Sequence, residues 1–182
     1  MKTLFTVHAG EFLVGSKIQQ EIKEAEIWLP AKDTGVDLLV TNRKHTRLAS
    51  LQVKFSRDYT ITHMDSKLAQ DIVAFGWWTH NREKIRRSKA DLWVFVIQAF
   101  DPKQTQYILI PPQELEERFE KIHGGVDPTQ SYFWVTRRGK CWETHDLPKK
   151  DLLLIAKDDF PDKDHDFSDY LNAWEVLARK LK

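Results

Sequence analysis

The stretches VDLLVT, at residues 36–41, and LASLQVKF, at residues 48–55, decide the fold because their side chains sort onto one apolar and one polar face. Residues 42–47 between them are polar and basic, which suits a hairpin tip. If Thr41 pairs with Leu48, the antiparallel register places Asp37 opposite Gln52. A slip of one residue would destroy the sorting, so the register is well specified. The predicted apolar face consists of Val36, Leu38, Val40, Ala49, Leu51 and Val53.

Further elements are predicted on both sides of this hairpin. Apolar stripes predict helices over residues 9–27 and 64–78, and residues 81–89 are predicted to be a basic loop. A buried strand at 90–100 and an antiparallel neighbour at 105–110 are expected to join through a turn at 101–103. A proline opens the helix predicted over 111–122. In the remaining chain we expect strands at 131–136 and 150–156 and a helix over 166–182.

This order of elements predicts a mixed α/β, or α+β, fold with a mixed central β-sheet that helices cover on both faces. A length of 182 residues suits one domain with a sizeable core. We therefore expect a single domain over residues 1–182, in which roughly residues 125–182 form a C-terminal extension that ends in a helix.

Composition excludes several classes of protein. The single cysteine, Cys141, permits neither an internal disulfide nor a cysteine metal cluster, which suits a reducing cytoplasm. No signal peptide and no membrane span are expected, because no suitable apolar run is present. The seven histidines show no metal-binding spacing, and the sequence has neither a serine-hydrolase motif nor a phosphate-binding glycine loop.

The polar face of the hairpin presents the groups of a cation site. Asp37 offers a carboxylate, and the side chain of Gln52 and the backbone carbonyl of Val53 offer neutral oxygens, all of which are ligands that Mg²⁺ accepts. Lys54 follows Gln52 by two positions and therefore points to the same side of the strand. Its ammonium group is suited to steady a metal-bound water or the charge that develops on a phosphate.

The run from Gly35 to Val40, followed by Leu51-Gln52-Val53-Lys54, resembles the PD-(D/E)XK nuclease superfamily. The resemblance covers about the first 120 residues, and it implies a restriction-endonuclease-like core with the motif on a hairpin. It also implies a metal-dependent endonuclease that hydrolyses DNA with Mg²⁺, for which Mn²⁺ substitutes, and a possible homodimer. Many members carry a glutamate on the first helix, and Glu11 stands in that place. The implied catalytic residues are Asp37, Gln52, Lys54 and Glu11, and the implied metal ligands are Asp37, Gln52, the Val53 carbonyl and Glu11.

Gln52 departs from the superfamily, which usually has Asp or Glu at this position. An amide removes one negative charge from the metal site, so that Glu11 has to compensate or the metal binds weakly. A catalytically inactive nuclease fold that serves as a nucleic-acid-binding or regulatory module is therefore an alternative to the enzyme. A third hypothesis is a protein-interaction role, which an exposed cluster of Trp77, Trp78 and Trp134 would support.

Basic residues near the motif are candidates for holding phosphates, whether the partner is DNA or RNA. Each of them has an ordinary alternative as a solvated surface charge or, for the serine, as a strand end. The main candidates are Arg57, Ser56, Arg43, Lys44, Arg47, Arg86 and Arg87, and the same basic segment also holds Arg82, Lys84 and Lys89.

Overall fold

The predicted hairpin forms the centre of the computed structural model, which describes residues 9–32, 34–99 and 104–182. Strand β2 spans Leu38–Asn42 and strand β3 spans Leu48–Arg57. Thr41 pairs with Leu48 and Leu38 pairs with Leu51, as the side-chain sorting predicted. Leu38, Val40, Ala49 and Leu51 are buried in one core cluster, while Val36 and Val53 are only half-buried.

The hairpin belongs to a mixed five-stranded sheet in the order β1-β2-β3-β5-β6. Strand β1 spans Ala25–Trp28, β5 spans Leu92–Gln98 and β6 spans Gln106–Ile110. Strands β3 and β5 are parallel, whereas the other neighbours are antiparallel. The predicted strand and its antiparallel partner are thus confirmed as β5 and β6, and the turn predicted at 101–103 lies outside the described residues.

A second sheet, which the sequence did not predict, has the order β4-β7-β8. Strand β4 spans Ile72–His80, β7 spans Thr129–Thr136 and β8 spans Cys141–Glu143. The helix predicted over 64–78 was therefore wrong beyond a short helix at Ser66–Ala69. Between Gly76 and His80 burial alternates with a period of two, and the segment is rich in aromatic and β-branched residues, both of which favour a strand. Residues 125–182 supply β7 and β8 to this sheet.

Seven α-helices lie within the described residues, and the predictions for residues 9–27 and 150–156 need correction. The first helix ends at Glu21, so Ile27 lies in β1 instead. Residues 150–156 lie in a helix and not in a strand, because a short leucine-rich run fits both periods and Pro148 precedes a helical turn here. The helices are α1 Ala9–Glu21, α2 Thr60–His63, α3 Ser66–Ala69, α4 Arg82–Arg86, α5 Pro112–His123, α6 Lys149–Ala156 and α7 Trp174–Lys180.

The C-terminal helix begins later than predicted. Residues 168–170 form only a 3-10 turn, and Asn172 adopts a positive φ of 51° that interrupts the helical path. The backbone N–H of Asn172 donates to the Tyr107 carbonyl at 2.6 Å, and its side-chain oxygen accepts from the Tyr107 N–H at 3.1 Å. These hydrogen bonds to the edge strand β6 satisfy the backbone N–H groups of Asn172 and Tyr107, so that Asn172 is held to the sheet and not within a helix.

Both faces of the five-stranded sheet are covered, which confirms the predicted mixed α/β architecture. Helices α1 and α7 cover one face through residues such as Val14, Ile18 and Leu177. The second sheet and α5 cover the other face, where Phe119 and Phe133 join the cluster around Phe95. The polar row of β3 lies on this second face, because Gln52 is in register with Trp93 of β5 and Lys54 with Phe95.

Helix α1 approaches β3 so closely at Gly10 that a side chain there would collide. A Cβ on Gly10 would stand 2.9 Å from the Phe55 Cβ and 3.1 Å from the Val53 Cγ1. We expect Gly10→Ala to lower the free energy of unfolding by about 1–3 kcal/mol, because the start of α1 must shift. Denaturation with urea measures this change.

Gly15→Ala is the matched control in the same helix. A Cβ there would meet only the Ile27 Cδ1 at 3.7 Å, an ordinary contact. The control should gain about 0.5–1 kcal/mol, because alanine is the better helix former. Equal stability of the two variants would contradict the close approach of α1 to β3.

Candidate functional site

The site forms where β2 begins, because among the described residues one side of β3 is open beyond that point. Strand pairing stops at Leu38 and Leu51, with one further bond from the Asp37 N–H to the Leu51 carbonyl at 2.8 Å. The preceding chain turns away at Gly35, whose φ is +81°. Beyond Gln52, the backbone groups of β3 that point toward β2 therefore have no partner strand within residues 9–32, 34–99 and 104–182. The Val53 N–H is one of them, and it donates to the Asp37 Oδ2 at 2.8 Å.

A cleft of about 880 Å³ opens at this edge. It gathers residues from three separate segments, namely the start of α1, the β2–β3 hairpin, and the stretch from α4 to β5. All four residues predicted to be catalytic line it, so the structure brings them together. The lining comprises Ala9, Gly10, Glu11, Thr34, Gly35, Asp37, Gln52, Val53, Lys54, Phe55, Glu83, Lys84, Arg87, Ser88, Lys89 and Trp93.

Two buried carboxylates form the acidic part of the cleft. Asp37 is 8% exposed and Glu11 is 5% exposed. The Gln52 Nε2 and the Val53 N–H both donate to the Asp37 Oδ2, which fixes the orientation of that carboxylate. Glu11 reaches the cleft because Gly10, next to it, lets the start of α1 lie against β3.

Lys54 is held on the face of the Trp93 ring. Its Nζ lies 4.8 Å from the ring centroid, within the range of a cation–π interaction. The Trp93 Nε1 donates to the Ser88 Oγ at 2.9 Å, so the ring is itself fixed. Trp93 and Ser88 were not predicted as site residues, because the register of β3 with β5 that brings Trp93 beside Gln52 is a long-range pairing.

The side chains and carbonyls that line the cleft offer oxygen ligands of the kind that Mg²⁺ accepts. Among the described residues, no group of three or more His, Cys, Asp or Glu side chains could hold a metal ion. Magnesium, unlike zinc, does not need three or more protein side chains, since it often binds through one or two carboxylates plus waters and substrate phosphates. Glu11 and Asp37 meet that smaller requirement, and Gln52 and the Val53 carbonyl add neutral oxygens on the same cleft wall. The residues therefore fit Mg²⁺ but not a metal enclosed by side chains.

The opposite wall of the cleft is basic. Lys84, Arg87 and Lys89 line it and are exposed, so their charges face solvent. They come from the segment predicted to be a loop, most of which forms helix α4, capped by Asn81, whose side chain accepts from the Lys84 N–H at 2.9 Å. The guanidinium of Arg87, the residue directly after α4, also pairs with Glu83 on the helix.

Arg82 of this segment has a structural role and does not hold phosphate. Its side chain is fully buried and donates to Glu116 at 2.7 Å, to Glu120 at 2.9 Å and to the Gly124 carbonyl at 2.8 Å. The hydrogen bonds to Glu116 are the main cause that raises the pKa of Arg82. These bonds attach α4 to α5 and so hold the basic wall in place.

The remaining phosphate candidates do not line this cleft. Arg43, Lys44 and Arg47 lie at the tip of the hairpin, far from the cleft. Arg47 precedes Lys54 by seven residues of extended chain, which span about 23 Å at roughly 3.3 Å per residue. The buried Ser56 hydroxyl donates to the Arg57 carbonyl at 2.8 Å and accepts from the Trp77 N–H at 3.2 Å. Two arginines are engaged outside the cleft: Arg57 stacks on Tyr59, and Arg86 pairs with Glu116.

The tryptophans proposed as an interaction surface are divided between core and solvent. Trp78 and Trp134 are 7% and 6% exposed, whereas Trp77 is 40% exposed. Adjacent residues of a strand point to opposite faces, so only one member of the Trp77–Trp78 pair can pack in the core. The exposed cluster that would support the interaction hypothesis is therefore not formed.

His80 is a buried neutral histidine beside the cleft. Its Nε2 lies 2.7 Å from the Ser131 Oγ, and its ring packs near Trp93, Phe95 and Phe119. Burial, with smaller contributions from the charges of Lys54 and His123, lowers the pKa of His80 to about 3. Protonation of His80 is therefore disfavoured in the folded protein, and no positive imidazolium competes with Lys54.

We expect His80 to make the protein sensitive to acid. Between pH 6.5 and about 3 the unfolded histidine binds a proton that the folded one does not. The free energy of unfolding should therefore fall as the pH falls through this window, by up to about 5 kcal/mol at about 1.4 kcal/mol per pKa unit. In His80→Gln the free energy of unfolding, measured by urea denaturation, should depend less steeply on pH. Ser131→Ala, which keeps the histidine, should retain the steep dependence, and parallel curves for the wild type and His80→Gln would contradict the argument.

Comparison with known proteins identifies no family for this chain. No protein-family model, no curated protein and no solved structure matches it. The PD-(D/E)XK resemblance therefore rests on the motif residues alone and stays a prediction.

Within the described residues, no helix is both long and apolar enough to cross a membrane.

Proposed function

We propose that the chain is a metal-dependent endonuclease that hydrolyses phosphodiester bonds in DNA. The observation that carries this proposal is the convergence of Glu11, Asp37, Gln52 and Lys54 in one open cleft whose other wall is basic. A cleft with buried acids on one side and exposed cations on the other suits a substrate with many phosphates and a reaction that needs a divalent cation.

The acidic wall supplies the ligands for Mg²⁺, or for Mn²⁺ in its place. Glu11 and Asp37 would hold the ion as charged ligands, with the Val53 carbonyl and the Gln52 amide as neutral ones. Such an ion would supply Lewis acidity toward a phosphate and would lower the pKa of a nearby water. The Gln52 amide nitrogen faces Asp37 here, so ligation by Gln52 would require its amide to turn and present the oxygen.

Lys54 is the residue proposed to act on the reacting groups. Hydrolysis adds water to phosphorus and breaks one ester bond, while negative charge grows on the phosphate oxygens. The Lys54 ammonium stabilises that charge or orients the attacking water. Lys84, Arg87 and Lys89 hold neighbouring phosphates and fix the backbone of the nucleic acid. RNA as substrate and action as a homodimer are further proposals, as is a cytoplasmic location, which the single buried Cys141 suits.

A nucleic-acid-binding or regulatory module without catalysis is the second candidate. It is favoured by one observation, namely that Gln52 stands where the superfamily usually has an acid and donates a hydrogen bond to Asp37. The amide then neutralises part of the carboxylate field that would attract a cation. Under this alternative the basic wall still binds nucleic acid.

Cleavage of plasmid DNA tests the proposed function. We expect the wild-type chain to nick or cut plasmid with Mg²⁺ or Mn²⁺ and to stop with a chelator. Lys54→Ala should lower the rate by about 100-fold or more, because charge stabilisation at the phosphate is lost. Asp37→Asn should have a similar effect through the metal.

Lys140→Ala is the matched control for Lys54→Ala. Lys140 also stands over a tryptophan ring, at 5.1 Å from Trp142, but it does not line the cleft. This variant should cut at the wild-type rate. Full activity of Lys54→Ala would reject the mechanism, and a wild-type chain that binds DNA without cutting it under any metal would identify the inactive module.

Binding of double-stranded DNA tests the basic wall under either function. We expect Lys84→Ala, Arg87→Ala and Lys89→Ala each to weaken binding and to reduce the slope of log affinity against log salt by about 0.9. Fluorescence anisotropy at several salt concentrations measures both quantities.

Lys44→Ala at the hairpin tip is the control for the basic wall. Its side chain is equally exposed but lies outside the cleft, so its affinity and salt slope should match those of the wild type. An equal effect of the tip and wall variants would show that binding is spread over the surface and is not directed by the cleft.

A further inference from the structure

We propose that Trp93 is a positioning residue that holds the Lys54 ammonium in place for the reaction, an inference that rests on the proposed nuclease function. Strand register brings the two residues together, since Gln52 is in register with Trp93 and both Gln52 and Lys54 point to the face that Trp93 occupies. The Lys54 Nζ lies 4.8 Å from the centroid of the ring.

The ring is rigid enough to serve as a platform. Trp93 is only 4% exposed, and the centroid of its ring lies 6.1 Å from that of Phe95. The Ser88 Oγ accepts from the Trp93 Nε1 at 2.9 Å and from the Ala90 N–H at 3.3 Å. The loop between α4 and β5 therefore fixes the angle of the indole plane under the lysine.

A fixed ammonium is useful because a free lysine side chain loses rotamer freedom when it is held in one position. A tryptophan face offers the strongest cation–π contact among the aromatic side chains. The Trp93 ring therefore restricts the conformations of the Lys54 side chain before the substrate binds. His80, whose ring centroid lies 6.3 Å from that of Trp93, is neutral and therefore adds no repelling charge near the lysine.

A purely structural role for Trp93 predicts different results from a positioning role. Trp93 belongs to the core cluster, so its loss will also affect stability. Trp93→Phe keeps an aromatic face and most of the packing, and Ser88→Ala keeps the ring but removes the hydrogen bond that orients it. These two variants therefore separate the support of Lys54 from the filling of the core.

The experiment combines NMR of the lysine side chains with cleavage kinetics on the full chain. The Lys54 Hε protons should be shifted upfield by the indole ring in the wild type, less so in Ser88→Ala and Trp93→Phe, and not at all in Trp93→Leu. Lys140 over Trp142 serves as the internal control, whose shift should stay constant in all variants. In the folded variants kcat should fall about two- to thirtyfold, with KM little changed.

The outcomes distinguish the two proposals. An unshifted Lys54 signal in the wild type, or Trp93→Phe and Ser88→Ala variants with an altered Lys54 signal but the full kcat, would overturn the positioning role alone. A shifted wild-type Lys54 together with no cleavage by the wild-type chain would overturn the proposed nuclease, and the positioning role of Trp93 in the reaction with it.

Discussion

Antiparallel hydrogen bonds between β2 and β3 sort the side chains of the hairpin onto two faces, and the rest of the site depends on that sorting. The apolar face is covered by α1 and α7, while Gln52 and Lys54 are presented on the other face. Because β2 begins only at Leu38, β3 continues past its partner, and within the described part of the chain this edge of β3 is open. The same pairing thus supplies both the core of the sheet and the place where a ligand can approach.

A buried charge organises the opposite wall. Arg82 has no contact with solvent, and its bonds to Glu116 and Glu120 hold α4 against α5. Removal of one partner of such a group leaves an uncompensated charge, which typically costs about 3–5 kcal/mol. The exposed cations that follow Arg82, on α4 and just after it, are consequently displayed on a fixed support, even though the ion pair of Arg87 with Glu83 at the surface contributes little to stability.

The cleft therefore combines two electrostatic environments. On one wall, Asp37 and Glu11 are withdrawn from water, which is unfavourable for carboxylates unless hydrogen bonds or a cation compensate. Gln52 and the Val53 N–H provide part of this compensation at Asp37. On the other wall, charges remain hydrated and can exchange their counterions for phosphates. This division of roles, and not the net charge of +1, is what suits the site to a nucleic acid.

The sequence by itself determined the β2–β3 register, the polar row on β3, strands β5 to β7 and helix α5, because each depends on local periodicity or a short turn. It could not separate strand from helix in short apolar runs, so β4 was predicted as a helix and α6 as a strand. Only the tertiary structure decided which charges face the cleft: it buried Arg82, left Arg43 and Lys44 at the distant hairpin tip, and placed Trp93 under Lys54. These outcomes depend on the parallel pairing of β3 with β5 and on the packing of α4 against α5, contacts between segments some 30 to 40 residues apart whose energies no local pattern records.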